Sequence, residues 1–222
     1  MELVLIIRSM SDDLRDFLAR ATVPVRSLDE LERQRGAIAI ADHWGLAAMR
    51  GRLVELSARG AVATLTCAIE LVIEAQTAAE PVCWVTLASS SFYPPDVAES
   101  GVDLAALVVV RAPEAIAAVR AVERVLRSGA FGLVVMDAPA AELTMAHQGR
   151  LVTLAQAHDA AVVCLTDKAA EAGSLGSLVS LRAEALRSRA GSSFDVTLRV
   201  LKDKRRGPGF TRASKLRGPA GY

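Results

Sequence analysis

Between residues 51 and 165, short apolar runs alternate with longer amphipathic ones, and this rhythm limits the fold more than any other feature of the chain. Residues 52–56, 81–87, 107–111, 133–136 and 161–165 are rich in Val, Leu and Ala and have the length of strands buried on both faces. The stretches over 61–78, 114–128 and 149–158 carry helical spacing; the second places Ile116, Val119, Val122, Val125 and Leu126 on one face. Strands separated by helices pair in parallel only if each helix crosses over the sheet, so the pattern predicts βαβ units. The expected class is α/β: a mainly parallel sheet with helices on both faces. Pro94 and Pro95 open a short helix over 94–100.

The rhythm changes on either side of this region. Residues 180–186 and 194–201 read as two successive strands joined by 187–193, a hairpin at the sheet edge. Beyond Gly207, glycines and prolines stand among basic residues, the composition of an extended or flexible arm. Near the start, Ser11 with Asp12 and Asp13 caps a helix that carries Leu14, Phe17, Leu18 and Ala21, and Ser27 with Glu30 forms a capping box for a second. Residues 3–7 fit either a strand or an earlier turn of the first helix. Three parts follow: a helical segment over 1–50, a core over 51–204 and a basic flexible tail over 205–222.

Composition excludes several classes. With 52% hydrophobic and 23% charged residues the chain is globular, and aromatics at 4% leave Ala, Leu and Val to fill the core. Cys67, Cys83 and Cys164 stand singly in apolar surroundings, which argues against a disulfide framework or a zinc site and for buried thiols in a reducing cytoplasm. Residues 3–7 are too short for a signal-peptide core, and no run approaches the ~18 apolar residues of a membrane span. His43, His147 and His158 lack metal-ligand spacing, and no Gly-x-Ser-x-Gly elbow occurs. Charge is uneven: from residue 202 onward Lys202, Lys204, Arg205, Arg206, Arg212, Lys215 and Arg217 face one acid, Asp203, so this end is +6 and the rest −5. Such an end suits an acidic protein partner or DNA, or is simply solvated.

Three stretches in order carry a resemblance: Gly51-Arg52-Leu53-Val54-Glu55-Leu56, then Ser100-Gly101-Val102-Asp103-Leu104, then Ser128-Gly129-Ala130-Phe131-Gly132-Leu133-Val134-Val135-Met136-Asp137. Over residues 51–204 the sequence resembles the ATPase core of the RecA recombinases. Within that superfamily it is most similar to the ImuA-like accessory proteins of the translesion-synthesis mutasome. The resemblance implies a RecA-like fold of the P-loop NTPase type with a degenerate nucleotide site. It also implies a cytoplasmic role in the SOS response and DNA-damage-induced mutagenesis. The implied partners are RecA, whose filament or recombination activity it would limit, and the inactive-polymerase, ImuB-like subunit of the mutasome.

A phosphate loop needs glycines, a lysine and a Ser or Thr for magnesium. After the first strand of the core stand Ser57-Ala58-Arg59-Gly60-Ala61-Val62-Ala63-Thr64, with one glycine and no lysine. Arg59 lies several residues too early to replace the lysine, and Thr64 matches the magnesium hydroxyl or caps the helix. The second strand leads into Ala88-Ser89-Ser90 without the carboxylate the resemblance calls for. Asp137 is the Walker B-like match, or a turn residue. Arg59, Gly60, Thr64 and Asp137 thus read as a vestigial nucleotide site without ATPase activity or bound cofactor. Gly173-Ser174-Leu175-Gly176-Ser177 lies where the resemblance puts a mobile DNA-binding loop, shorter here. Lys202-Asp203-Lys204 matches a Lys-x-Lys pair that in RecA filaments reaches the neighbour's ATP; the alternative is a basic strand end facing solvent.

With Arg205, Arg206, Arg212, Lys215 and Arg217, these lysines form the expected partner or DNA surface, and removing everything after Lys204 is expected to spare the fold. Two other functions remain open at this point. Nucleotide binding would mark an ATP-dependent recombinase, and partner identity would mark a RecA-like SOS inhibitor of cell division.

Overall fold

Every strand expected from the alternation is present in the computed structural model, which describes residues 43–191 and 193–217. They are β1 (Arg52–Ala58), β2 (Val82–Leu87), β3 (Leu107–Ala112), β4 (Leu133–Asp137), β5 (Ala161–Asp167), β6 (Leu181–Ala190) and β7 (Ser193–Asp203), and an eighth, β8 (Thr211–Arg217), follows. They form one sheet in the order β3-β2-β4-β5-β1-β6-β7-β8. Pairing is parallel from β3 to β6 and antiparallel from β6 to β8. This is an open, mostly parallel α/β sheet of the Rossmann or P-loop-like class. The chain divides into Met1–Ile40 and Ala41–Tyr222. The caps expected at Ser11 and Ser27, and the two readings of residues 3–7, lie outside the described residues.

Helix α1 (Leu46–Met49) precedes β1, and α2 (Thr64–Thr77), α3 (Pro94–Ala98), α4 (Ala115–Arg127) and α5 (Met145–Ala157) lie between the parallel strands. Alternation along each strand sends side chains to two cores. Val54, Leu56, Trp84, Val135 and Val163 meet Cys67, Leu71 and Val72 of α2 on one face. On the other, Leu53, Val85, Val134 and Val162 meet Val119, Val122 and Leu126 of α4 and Leu151 of α5. Gly51, at φ 66°, makes the turn from α1 into β1, where a side chain would strain the backbone. Helix α5 starts a turn before the expected residue 149, because Thr144 caps it by accepting from the His147 amide at 3.3 Å.

The carboxyl-terminal region departs from expectation. The hairpin strands run through most of the expected 187–193 loop to a turn at Gly191, with Ala190 opposite Ser193. They are not the sheet edge, because residues 211–217 add β8 beyond them, with Thr211 opposite Arg199 and Leu216 opposite Phe194. The expected flexible tail is therefore a paired strand over this stretch. Gly207 and Gly209, at φ 83° and 108°, reverse the chain, and Arg212, Ser214 and Leu216 then share the half-buried side. Arg212 ion-pairs with Glu70 of α2, Leu216 packs against the core, and Phe210 stacks on His43 at 4.9 Å. Basic composition hid this period-2 pattern.

Truncation after Lys204 should accordingly destabilise the protein and promote aggregation by baring the edge of β7. Urea denaturation of full-length and truncated protein checks this; an unchanged midpoint would restore the flexible arm.

Candidate functional site

At the carboxyl ends of β1, β2, β4 and β5, the usual ligand position of such sheets, lies a cavity of about 650 Å³. Its lining includes Arg59, Gly60, Thr64, Ser90, Tyr93 and Asp137, so all four vestigial-site residues meet there. Asp137 ends β4, and its Oδ2 accepts from Thr86 Oγ1 at 3.0 Å and lies 3.5 Å from Ser90 Oγ. Beneath this corner the buried Trp84 stacks on Phe92, with ring centroids 4.5 Å apart.

The loop after β1 is not a phosphate cradle. It runs sideways along β6: the Ala63 amide donates to the Ala185 carbonyl at 3.0 Å, and the Ala61 carbonyl accepts from the Arg187 amide at 2.8 Å. The Val62 amide turns back to the Gly60 carbonyl at 3.0 Å. Arg59, largely exposed, reaches Asp167, with its NH2 3.1 Å from the carbonyl and Nε 3.4 Å from Oδ1. The crevice thus offers a carboxylate, serine hydroxyls and an arginine engaged by an aspartate. Among the lining residues there is no lysine, and the Val62 and Ala63 amides are already engaged within the protein.

A second polar cluster was not evident from residue types alone. Glu55 is fully buried in β1. It accepts from Thr166 Oγ1 and Ser174 Oγ, each at 2.9 Å, and from the Leu175 amide at 2.7 Å. Lys168 Nζ and Arg182 Nε each lie 3.7 Å away. Arg182, also buried, donates to Ser57 Oγ at 3.2 Å and to the carbonyls of Ala169, at 2.9 Å, and Ala172. The Leu178 amide donates to buried Gln148 at 3.0 Å, and a Cβ on Gly176 would collide with that glutamine. The glycine-rich segment around Gly173–Ser177, expected to match a mobile DNA-binding loop, is part of a strap that hydrogen bonds hold at Ala169, Ala172, Ser174, Leu175 and Leu178. The signal for it in the sequence is a Glu flanked by apolar residues, Val54 and Leu56, inside a buried strand.

The Lys-x-Lys residues lie elsewhere. Because β7 runs antiparallel to β6, Asp203 stands beside Leu181 at the start of β6, at the opposite end of the strands from the crevice. Leu181 is level with Val54 of β1, so the four residues to Ala58 at the crevice, about 13 Å of strand, separate the two levels. Asp203 Oδ1 accepts from buried Arg52 at 2.6 Å and from the Arg205 amide at 2.8 Å. Lys202 is half-buried; burial and the neighbouring Lys204 lower its pKa. Lys204 is exposed, with its ammonium on the Ser177 carbonyl at 2.7 Å. Arg205 and Arg206 follow at the same edge, exposed. Arg212 and Lys215 lie apart on β8, Arg212 paired with Glu70 and Lys215 opposite Asp195, while Arg217 takes the register position opposite Ser193. The basic residues thus form two groups and not one arm.

Burial raises the thiol pKa of Cys67 and Cys164 to about 12 and of Cys83 to about 11, so none is a nucleophile near neutrality. Among the described residues no group of three or more His, Cys, Asp or Glu is placed to hold a metal, and no helix is long and apolar enough to cross a membrane. No protein-family model matches the chain, and no curated protein matches it.

Burial pushes the Asp203 carboxyl up, but the Arg205 amide and the Arg52 guanidinium outweigh it and hold the pKa below its ordinary value. A carboxyl depressed on folding contributes stability that is present above its unfolded pKa, near ~4, and is lost as the pH falls through the folded value. Asp203→Asn should therefore cost about 3–5 kcal/mol at pH 7, and the gap from wild type should narrow below about pH 4. Urea unfolding between pH 7 and 3 measures this. A gap that stays constant would mean the pair does not stabilise the fold through its charge.

Proposed function

We propose that the chain is a non-catalytic, RecA-like accessory protein of DNA-damage-induced mutagenesis, of the ImuA-like kind, which joins RecA filaments by one edge and stops their growth. One observation carries this reading: Lys202-Asp203-Lys204, at the end of β7, lies toward the amino ends of the parallel strands, while the degenerate crevice lies at the carboxyl ends of β1, β2, β4 and β5. Head-to-tail assemblies need two complementary surfaces on every subunit. In a RecA row, the Lys-x-Lys edge of one subunit meets the nucleotide held by the next. A subunit that keeps the lysine edge can dock on an ATP-loaded neighbour. Its own crevice, with the loop after β1 bonded to β6 through the Ala63 amide and the Ala61 carbonyl and with no lysine, offers the following subunit no ATP.

Several features support the reading. Strand β1 lies inside the sheet between β5 and β6, with Asp137 two strands away at the same end, as a P-loop-type nucleotide site requires. Asp203 and Arg52 hold the lysine edge in place, which a solvated strand end would not need. Arg205 and Arg206 add positive charge beside it for an acidic partner surface or for DNA. The inactive-polymerase subunit is the second partner, and catalysis is absent.

Purified protein should show no ATP uptake by calorimetry, and substoichiometric amounts should slow RecA-driven strand exchange. Lys202→Ala/Lys204→Ala should relieve that inhibition by about tenfold or more, since each lost charge-assisted contact is worth a kcal/mol or more. Micromolar ATP affinity, or strand exchange unaffected at equimolar protein, would refute the proposal.

A further inference from the structure

Helix α2 packs on the sheet through Cys67, Leu71 and Val72, and it carries a second apolar stripe on its flank. Leu65, Ile69 and Ile73 recur at every fourth residue and so lie in one row. With Phe194 and Val196 of β7, Leu216 of β8 and Val97 of α3, this row lines a groove of about 660 Å³. Ile69 is buried and Leu65 is 45% exposed, so the lining grades from core to solvent. Leu65, Asp96 and Val97 also line the crevice, so the two hollows adjoin there. Tyr93 on the crevice side, 58% exposed, extends the apolar surface past the join. Contiguous exposed apolar surface rimmed by polar groups marks an interaction site.

Charge and backbone together decide what fits. The charged residues of the lining are Glu70, Asp96, Glu99 and Arg187. Glu70 is paired with Arg212, and the Arg187 guanidinium lies over the Phe194 ring, 5.4 Å from its centroid. Asp96 and Glu99, both exposed and three residues apart, form no ion pair among the described residues. Two free carboxylates against one arginine leave the groove acidic, which favours a basic occupant. The groove meets β6, β7 and β8 through side chains on a face of the sheet, where backbone groups are spent on strand pairing. An extended segment would leave its own amides and carbonyls unsatisfied there, whereas a helix satisfies its own. A concave surface set against its own copy leaves a void, so a second copy of the groove does not fill it.

We infer that the groove between α2, α3 and the β7–β8 hairpin is a docking site for a basic amphipathic helix of another protein. The apolar face of that helix, with anchors at i, i+4 and i+7, covers Leu65, Ile69, Phe194 and Leu216. Lysines or arginines on its flank reach Asp96 and Glu99. The site is separate from the lysine edge, and its test uses neither RecA nor DNA, so it can fail without touching the function proposed above.

The probe is a fluorescein-labelled peptide of alanine, leucine and lysine with the leucines at helical spacing along one face, titrated with the full chain and read by anisotropy. One control peptide has glutamate in place of lysine, and another has a central proline that breaks the helix. Leu65→Lys places a like charge on the exposed wall, and Asp96→Lys/Glu99→Lys reverses the rim; all three positions are exposed, and an unchanged melting temperature verifies that the fold is kept. The lysine peptide should bind wild type, each variant should weaken binding by about tenfold or more, and neither control peptide should bind comparably. No binding at millimolar protein, or equal binding by the variants or by either control peptide, would overturn the inference. So would a wild-type dimer in sedimentation that Leu65→Lys abolishes, since the occupant would then be a second copy.

Discussion

A charge inside a central strand must be neutralised where it stands, and β1 carries two. Arg52 and Glu55 lie in the most enclosed strand of the sheet, and each determines how a distant segment is placed. Arg52 reaches Asp203, about 150 residues on in sequence, and so positions the end of β7. Glu55 gathers Thr166, Ser174, the Leu175 amide, Lys168 and Arg182, and so draws the strap between β5 and β6 onto the sheet. An unpaired buried charge costs several kcal/mol, so neither segment is free to drift. The two groups bracket β1 from opposite faces, where apolar residues alone would have left loop and strand ends unspecified.

The same economy explains what the two ends of the strands can do. At the carboxyl ends, the loop after β1 gives its hydrogen bonds to β6, and Arg59 turns to Asp167. The cavity keeps the size of a ligand site, and its lining holds no lysine. At the amino ends, Asp203 holds Lys202 and Lys204 at a set level, with Arg205 and Arg206 beside them. A crevice without a lysine on one side of the sheet and an organised basic edge toward the other are the two features on which the proposed one-sided docking rests.

Much of the core was legible in the sequence, because buried parallel strands and amphipathic helices announce themselves by period. The runs at 81–87 and 107–111 and the Ile116–Leu126 face correspond to elements within a residue or two of their ends. Polar endings were harder: β1 and β5 run on through Ser57 and Thr166, whose hydroxyls are satisfied within the sheet. Strand β8 was hidden because Arg212, Ser214 and Leu216 make a mixed face whose burial depends on Glu70, far away in sequence. The crevice was legible as a set of residue types, since Arg59, Gly60, Thr64 and Asp137 do converge. The strap was not. Glycines and serines around Gly173 look mobile until the buried Glu55 and Arg182 are seen to hold them, and long-range neutralisation leaves no local pattern.

The central claim is that this protein ends RecA filaments and does not merely coat or ignore them. Electron microscopy of RecA on single-stranded DNA with ATP, at rising ratios of this protein to RecA, tests it most directly. The account predicts that mean filament length falls as the ratio rises, with labelled protein found at filament ends. Filaments of unchanged length, or label spread evenly along their sides, would contradict it.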